Sequence, residues 1–214
     1  MNAVLERVAE ALRRNRMDAT CVSSSAEVVP VLRNILKAGN TVAVGGSRTL
    51  EECNVLSLLR NGEYTFYDRY APNLTLEQVR EVFVASLSAD VYLCSANAIT
   101  EQGEVYCVDG NANRIAALCY GPRTVVLVVG RNKIVSNIAA AQYRVKSVAA
   151  PKNTARLGCK TPCAKNGICC AADSPVAADG CDSPDRICCS YLTLGRQRTA
   201  GRIKVILVDE DLGF

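Results

Sequence analysis

The stretch Thr124-Val125-Val126-Leu127-Val128-Val129 is an unbroken apolar run after its first residue, and it decides the fold class. A strand with one wet face alternates apolar and polar residues, whereas a strand in the middle of a parallel sheet is apolar on both faces. The run therefore predicts a central parallel strand. Working outward, shorter strand-like runs alternate with segments of helical periodicity, and these runs cover residues 41–44, 64–67, 90–95, 104–108 and 202–208. Strands that alternate with helices predict an α/β fold with a largely parallel sheet.

Two local features refine this outline. The turn at Gln102-Gly103 predicts that residues 90–95 and 104–108 pair as neighbouring strands. An amphipathic helix is predicted over 138–148, and we expect Pro151 to bend the chain into the segment that follows.

Length and composition limit the classes of protein that the chain can belong to. The chain has 214 residues, 49% of them hydrophobic and 21% charged, which is typical of one globular domain rather than a disordered chain. A formal charge of +4 and the lack of tryptophan argue against a nucleic-acid-binding protein. No apolar run approaches the length of a membrane span, and the first residues lack an apolar signal core, so we expect a cytoplasmic protein.

Histidine is absent, and this removes whole classes of chemistry. The chain has no histidine, which excludes a Ser-His-Asp triad, a histidine base and a histidine-ligated metal. Without histidine, a carboxylate is the most available general base.

A glycine turn between a strand and a helix is the first candidate site. Gly45, Gly46, Ser47 and Thr49 follow the run 41–44. Glycines allow close approach of a ligand, and the free N–H groups of a helix start attract anions. The pattern lacks the further glycine and the lysine of known nucleotide-binding loops, so an anion site and an ordinary capped turn remain equal alternatives.

Polar residues that follow later strands form the second candidate site. In a parallel sheet, the loops beyond the carboxyl ends of the strands line the ligand crevice. The sequence places there the side chains Asn97, Glu101, Asp109, Asn113 and Arg114, and Lys133 follows the central strand. We expect Glu101 to be the general base, with Asp109 as a second acid or base and Lys133 holding an anion. A hairpin with Asx turns is the alternative for this run.

Seven of the 12 cysteines lie between residues 159 and 189 and form the third candidate site. Thiolates in a loop-rich segment suit an iron–sulfur cluster or zinc, and four ligands can be chosen as Cys163, Cys169, Cys181 and Cys188. Disulfides and free thiols are the alternatives, although disulfides fit poorly in a cytoplasmic chain. The other five are expected to be small buried apolar residues: Cys21, Cys53, Cys94, Cys107 and Cys119.

Several of these motifs, in this order, resemble one family. They are Gly45-Gly46-Ser47-x-Thr49-Leu50, Asn97-Ala98-Ile99-Thr100-x-x-Gly103, Asp109-Gly110-x-x-Asn113-Arg114, Gly121-Pro122, Gly130-x-Asn132-Lys133-Ile134-Val135, Thr161-Pro162-Cys163, Ser183-Pro184-x-Arg186-Ile187-Cys188 and Gly201-Arg202-Ile203. Together they resemble the LUD-domain, or lactate-utilisation, family over almost the whole chain. The chain departs from the family at residues 170–180, which read as an insertion and leave Cys170 and Cys181 as rivals for the third cysteine position.

The resemblance implies a Rossmann-like fold, similar to the superfamily of sugar isomerases, CoA transferases and formyltetrahydrofolate cyclo-ligases. It implies a core over residues 1–158, a cysteine-rich segment over 159–192 and a returning strand over 193–214. In such a fold the glycine turn and the polar run face one cleft for a small anionic metabolite, and a homodimer is compatible with the superfamily.

Some family members act with an iron–sulfur partner in oxidising L-lactate to pyruvate. The chain is therefore expected to act in organic-acid utilisation, with an iron–sulfur oxidoreductase among its candidate partners. The alternatives are a metal or redox module, built on the cysteines, and a regulatory protein that binds its ligand without catalysis.

Overall fold

The computed structural model describes residues 2–214. Within them the strands are β1 (Asp18–Val22), β2 (Thr41–Val44), β3 (Thr65–Tyr67), β4 (Val91–Cys94), β5 (Ala98–Thr100), β6 (Val105–Asp109), β7 (Thr124–Gly130), β8 (Ile134–Val135), β9 (Ser190–Leu194) and β10 (Ile203–Val208). The α-helices are α1 (Ala3–Arg14), α2 (Val28–Ile35), α3 (Arg48–Glu52), α4 (Val55–Leu59), α5 (Leu76–Ser86), α6 (Asn113–Cys119), α7 (Ile138–Arg144), α8 (Ala150–Leu157) and α9 (Pro162–Asn166). None of the helices in this described part is long and apolar enough to span a bilayer.

A six-stranded sheet forms the centre of the fold, in the order β1-β10-β7-β4-β2-β3. Every pairing in it is parallel. In β7, Val125, Leu127 and Val129 pack into one hydrophobic core, while Val126 and Val128 pack into the core on the other face. Helices α1 and α6 cover the first face and α2, α3 and α4 the second, so the strand must be apolar on both sides. The predicted α/β class with a mostly parallel sheet flanked by helices is confirmed.

A second, four-stranded sheet has the order β8-β5-β6-β9. Here one prediction was wrong, because residues 90–95 do not pair with residues 104–108. Strand β4 is inserted between β2 and β7, whereas β6 pairs antiparallel with β5 and β9. The sequence analysis missed the short strand β5 because polar residues surround it. Strand β5, rather than β4, precedes the turn at Gln102-Gly103 and forms the hairpin with β6.

The long helix beyond β8 also differs from the prediction. It runs from α7 through a π-helical turn at Val145–Ala149 into α8, and Pro151 lies near the start of α8 rather than at a bend. Proline lacks the N–H that a helix needs, and a wide π turn directly before it changes the hydrogen-bond pattern where that N–H would be used. The helix ends instead at Gly158, whose φ of 69° is typical of a C-terminal cap.

The cysteine-rich segment follows this helix and is mostly irregular apart from α9. The amide of Cys189 donates to the carbonyl of Asp109 at 3.0 Å, which fixes the end of the segment beside β6. Lys146, on the π turn, donates to the carbonyls of Ser174 and Val176, so the insertion is tied to the long helix. The domain boundaries at residues 158 and 192 stay predictions.

Candidate functional site

A cleft of about 390 Å³ lies at the carboxyl ends of β2, β4, β6 and β7. Its cationic side chains outnumber the acidic ones: Arg48, Arg69, Arg114, Lys133, Arg156 and Arg186 face it, against Asp109 and Asp185. Such an excess of positive charge favours an anionic ligand. Of the residues predicted for the first two sites, those that line the cleft are Gly46, Ser47, Thr49, Asn97, Asp109, Asn113, Arg114 and Lys133.

The glycine turn has features of both alternatives, an ordinary capped turn and a loop open to the cleft. Ser47 caps α3, since its hydroxyl accepts a hydrogen bond from the amide of Leu50, and this is the behaviour of an ordinary capped turn. Gly45 is buried and lies outside the cleft lining, and a Cβ there would stand 3.0 Å from both the Cβ of Cys94 and the hydroxyl of Tyr92. Gly45 is therefore needed for packing against β4, while Gly46 is exposed at the cleft.

Lys133 is the buried cation of the cleft. Its side chain reaches back from the end of β7, and its Nζ donates to the hydroxyl of Thr49 at 2.8 Å and to that of Ser95 at 3.0 Å. The residue is only 3% exposed and forms no ion pair with any carboxylate of residues 2–214. Burial and the nearby guanidinium groups of Arg144 and Arg114 lower the pKa of Lys133 to about 7.

Arg114 and Asp109 form an interlocked pair beside Lys133. The Oδ1 atom of Asp109 accepts from Nε and Nη2 of Arg114 at 2.9 and 2.7 Å, and Oδ2 accepts from the amide of Ile115. Arg114 also donates to the carbonyl of Ser95 and the side chain of Asn97. These contacts use most N–H groups of Arg114, so its charge serves mainly to join β4 to β6.

Glu101, predicted as the general base, is not brought into the cleft. It is exposed at the tip of the β5–β6 hairpin, and it shares a surface groove with Arg7, Glu10 and Arg14 of α1. The hairpin points away from the strand ends because its backbone is fixed to β8, as shown by the hydrogen bond from the amide of Glu101 to the carbonyl of Val135.

Among the cleft residues that sequence reasoning missed are Arg69, Ser95 and Arg186. Arg69 follows the carboxyl end of β3, and Ser95 follows β4, so the strand-end rule that found the others could have found them. Arg186 comes from the cysteine-rich segment, and nothing in the local pattern indicates that this segment folds over the sheet.

A second, more enclosed pocket is lined by thiols. Its cysteines are Cys163, Cys169, Cys170, Cys181 and Cys188, so the four predicted ligands and the rival third position meet around one space. All 12 cysteines of the chain are free thiols. Burial raises the pKa of Cys188. The pocket shares Arg186 and Ile187 with the cleft, so this pair of residues forms a common wall between the two sites.

The thiol pocket contains the donor type of a zinc or an iron–sulfur centre, since both are bound by cysteine thiolates. Within residues 2–214, no three Cys, Asp or Glu side chains are placed to hold one metal ion. The choice between the two kinds of centre therefore stays a prediction.

The five cysteines outside the segment follow their prediction only in part. Cys53, Cys94 and Cys107 are buried, as expected of small apolar residues. Cys21 is partly exposed and Cys119 is exposed, so for Cys119 the prediction was wrong.

The chain is an α/β protein with a parallel sheet. It has a cationic cleft at the strand ends and a thiol pocket beside that cleft. The chain belongs to the LUD domain family, whose model matches residues 5–208. The crystal structure of a DUF162 family protein from Deinococcus radiodurans is similar, with a TM-score of 0.51, 17% sequence identity and 96% of each chain covered. That likeness shows the fold alone. No curated protein matches the chain.

Proposed function

We propose that this LUD-domain protein binds a small anionic metabolite in the cleft at the strand ends, as part of organic-acid utilisation of the lactate type. The observation that carries the proposal is Lys133, a buried lysine in the cleft that is held by two hydroxyls and has no carboxylate partner within residues 2–214. Buried charges are normally paired, because removing an ion from water is costly. A carboxylate or phosphate ligand would supply the missing negative charge.

The neighbouring residues support the same ligand chemistry. Thr49 and Ser95 hold the amine on the protein side, and Arg69 adds a second cation that has no carboxylate partner in the described chain. Asp109 is committed to Arg114, and Glu101 lies elsewhere, so binding is better supported than acid–base catalysis by either carboxylate. Lys133 remains the group of the cleft whose protonation changes near neutral pH.

Sulfate binding should weaken as the pH rises. Sulfate keeps its charge between pH 6 and 9, so only the protein titrates in an experiment with this probe. Since the pKa of Lys133 is lowered to about 7, we expect affinity to fall above that pH, approaching about tenfold per pH unit. Isothermal titration calorimetry at several pH values measures this. An affinity that is flat with pH, or no binding at pH 6, would contradict the proposal.

A second candidate function, a metal or redox module, rests on the thiol pocket. Five free thiols around one enclosed space are the donor type of an iron–sulfur cluster, and no disulfide consumes them. With a cluster bound, the chain would be suited to exchange electrons with an iron–sulfur oxidoreductase. In this reading Cys163, Cys169 and Cys188 are ligands, together with Cys170 or Cys181.

Metal analysis of two adjacent cysteine variants tests the second candidate. Cys188 lines the thiol pocket, whereas its neighbour Cys189 is exposed and does not. Protein purified without oxygen is expected to contain about four irons per chain and to be brown, as is typical of a cluster with four cysteine ligands. Cys188→Ser should lose the metal and Cys189→Ser should keep it.

The same measurement on Cys170→Ser and Cys181→Ser identifies the third ligand, since only the true ligand should be needed. About one zinc per chain in place of iron would favour a structural site. Protein without metal, or equal metal loss in the Cys188 and Cys189 variants, would contradict a metal centre in this pocket.

A further inference from the structure

We propose that the ligand of the cleft carries a flat apolar group beside its anionic group, and that this flat group binds in the groove between α5 and α6. The inference rests on the proposed function and specifies its ligand class. It starts from Arg69, which lies where the cleft and the groove meet.

Arg69 is placed to contact both parts of such a ligand. A Cβ added at Gly46 would lie 3.5 Å from Nη1 of Arg69, which puts the guanidinium next to the glycine turn. The Cζ atom of Arg69 also stands 4.6 Å from the centre of the Phe83 ring on α5 and 5.4 Å from the centre of the Tyr70 ring. A guanidinium can bind a carboxylate or phosphate through its N–H groups and stack through its face on a flat ring.

The cleft continues past Arg69 into a groove of about 660 Å³. The two spaces share Arg69, Asn111 and Asn113, so they are parts of one surface depression. The side chains of the groove are mainly apolar and none is acidic: Leu76, Val79, Phe83, Val84, Leu87, Ala112 and Ala116, with Arg80 as the further cation.

Two of these apolar side chains are unusually exposed. Leu76 is 90% exposed and Val84 57%, although both belong to the same helix face beside the cleft. A contiguous apolar patch of this kind marks a binding surface. Because the groove is continuous with the cationic cleft, we expect the groove to bind the apolar part of the ligand whose anionic group binds in the cleft.

The size of the cleft supports a ligand larger than a simple acid. At about 390 Å³ the cleft alone falls within the range of about 300–1,000 Å³ that sites for drug-sized molecules occupy. An acid of a few carbon atoms would leave most of that volume to water. An anion with an aromatic or similarly flat substituent fills the cleft at Lys133 and extends past Arg69 over Phe83.

Two phosphate monoesters test the proposal. Methyl phosphate and phenyl phosphate differ in the flat ring and, slightly, in their second ionisation, so the ratio of their dissociation constants, measured by calorimetry at pH 6.5 and expressed for the dianions, reports the contribution of the groove. We expect phenyl phosphate to bind roughly tenfold more tightly, the upper range for one aromatic contact. Leu76→Ser should reduce this ratio toward one. Val176→Ser, which removes another exposed apolar side chain but one outside the groove, should leave the ratio unchanged.

The outcomes separate this inference from the proposed function. If both esters bind equally and compete with sulfate, the anion site stands and the flat group is refuted. If neither ester nor sulfate binds, the proposed function fails as well. If Leu76→Ser leaves the ratio unchanged but turns a dimer into a monomer in light scattering, the groove is an interface between two copies of the chain and the proposal is overturned.

Discussion

Lys133→Met is expected to weaken sulfate binding by roughly 10- to 100-fold, since a hydrogen bond to a charged group contributes about 1.5–3 kcal/mol. Methionine keeps the length and the apolar stem of lysine and removes the charge, so the cleft should keep its shape. Calorimetry at pH 6.5 measures the loss. Lys152→Met is the matched control, because Lys152 is exposed on α8 outside the cleft lining. Unchanged affinity in the Lys133 variant would show that the anion binds elsewhere.

The same variant should change the pH dependence of stability in a defined direction. The pKa of Lys133 is lowered from 10.5 to about 7 in the folded protein, so between these pH values the unfolded chain binds a proton that the folded chain does not. The free energy of unfolding of the wild type should therefore rise with pH across this window, by up to about 1.4 kcal/mol per pH unit from this group.

Below pH 7 both states are protonated, and the folded protein bears the full cost of the buried charge. Lys133→Met should accordingly be more stable than the wild type by an amount that is greatest below pH 7 and shrinks toward pH 10.5. Urea unfolding between pH 6 and 9, with reductant present for the free thiols, measures the difference. A difference that stays flat or grows with pH would contradict the lowered pKa of Lys133.

The sequence was most informative where structure depends on neighbouring residues. The apolar run 124–129 could be assigned to the middle of a parallel sheet, because burial on both faces leaves a direct trace in composition. Gly46, Thr49 and Lys133 could then be placed together, since the carboxyl ends of parallel strands meet at one edge.

What the sequence could not provide depends on contacts between distant segments. The direction of Glu101 is set by pairing of β5 with β8, and a two-residue strand has no readable pattern. Asp109 pairs with Arg114 because of the geometry of the loop between β6 and α6. The spacing of residues in the sequence does not reveal this geometry. Cysteine spacing indicated a shared site but could not choose between Cys170 and Cys181, and both line the pocket.

Asp109→Ala is expected to be among the most destabilising single substitutions in the cleft, and it decides whether Asp109 is a structural or a catalytic residue. Its side chain is 11% exposed and that of Arg114 is 12% exposed. Removing one partner of a buried ion pair leaves the other charge without compensation, at a cost of about 3–5 kcal/mol. The hydrogen bond to the amide of Ile115 at the first turn of α6 is lost as well.

Urea unfolding of the variant measures this cost, and Asp185→Ala serves as its control. Asp185 is the other carboxylate of the cleft, but it is exposed and accepts one hydrogen bond, from the amide of Lys160, so its loss should cost about 1 kcal/mol or less. If Asp109→Ala does not fold, Asp109→Asn tests the same point, because an amide keeps one acceptor oxygen but no charge. Equal stability of the Asp109 and Asp185 variants would refute the structural role. A large and specific loss would mean that this carboxylate is held by Arg114 as a fixed counter-ion.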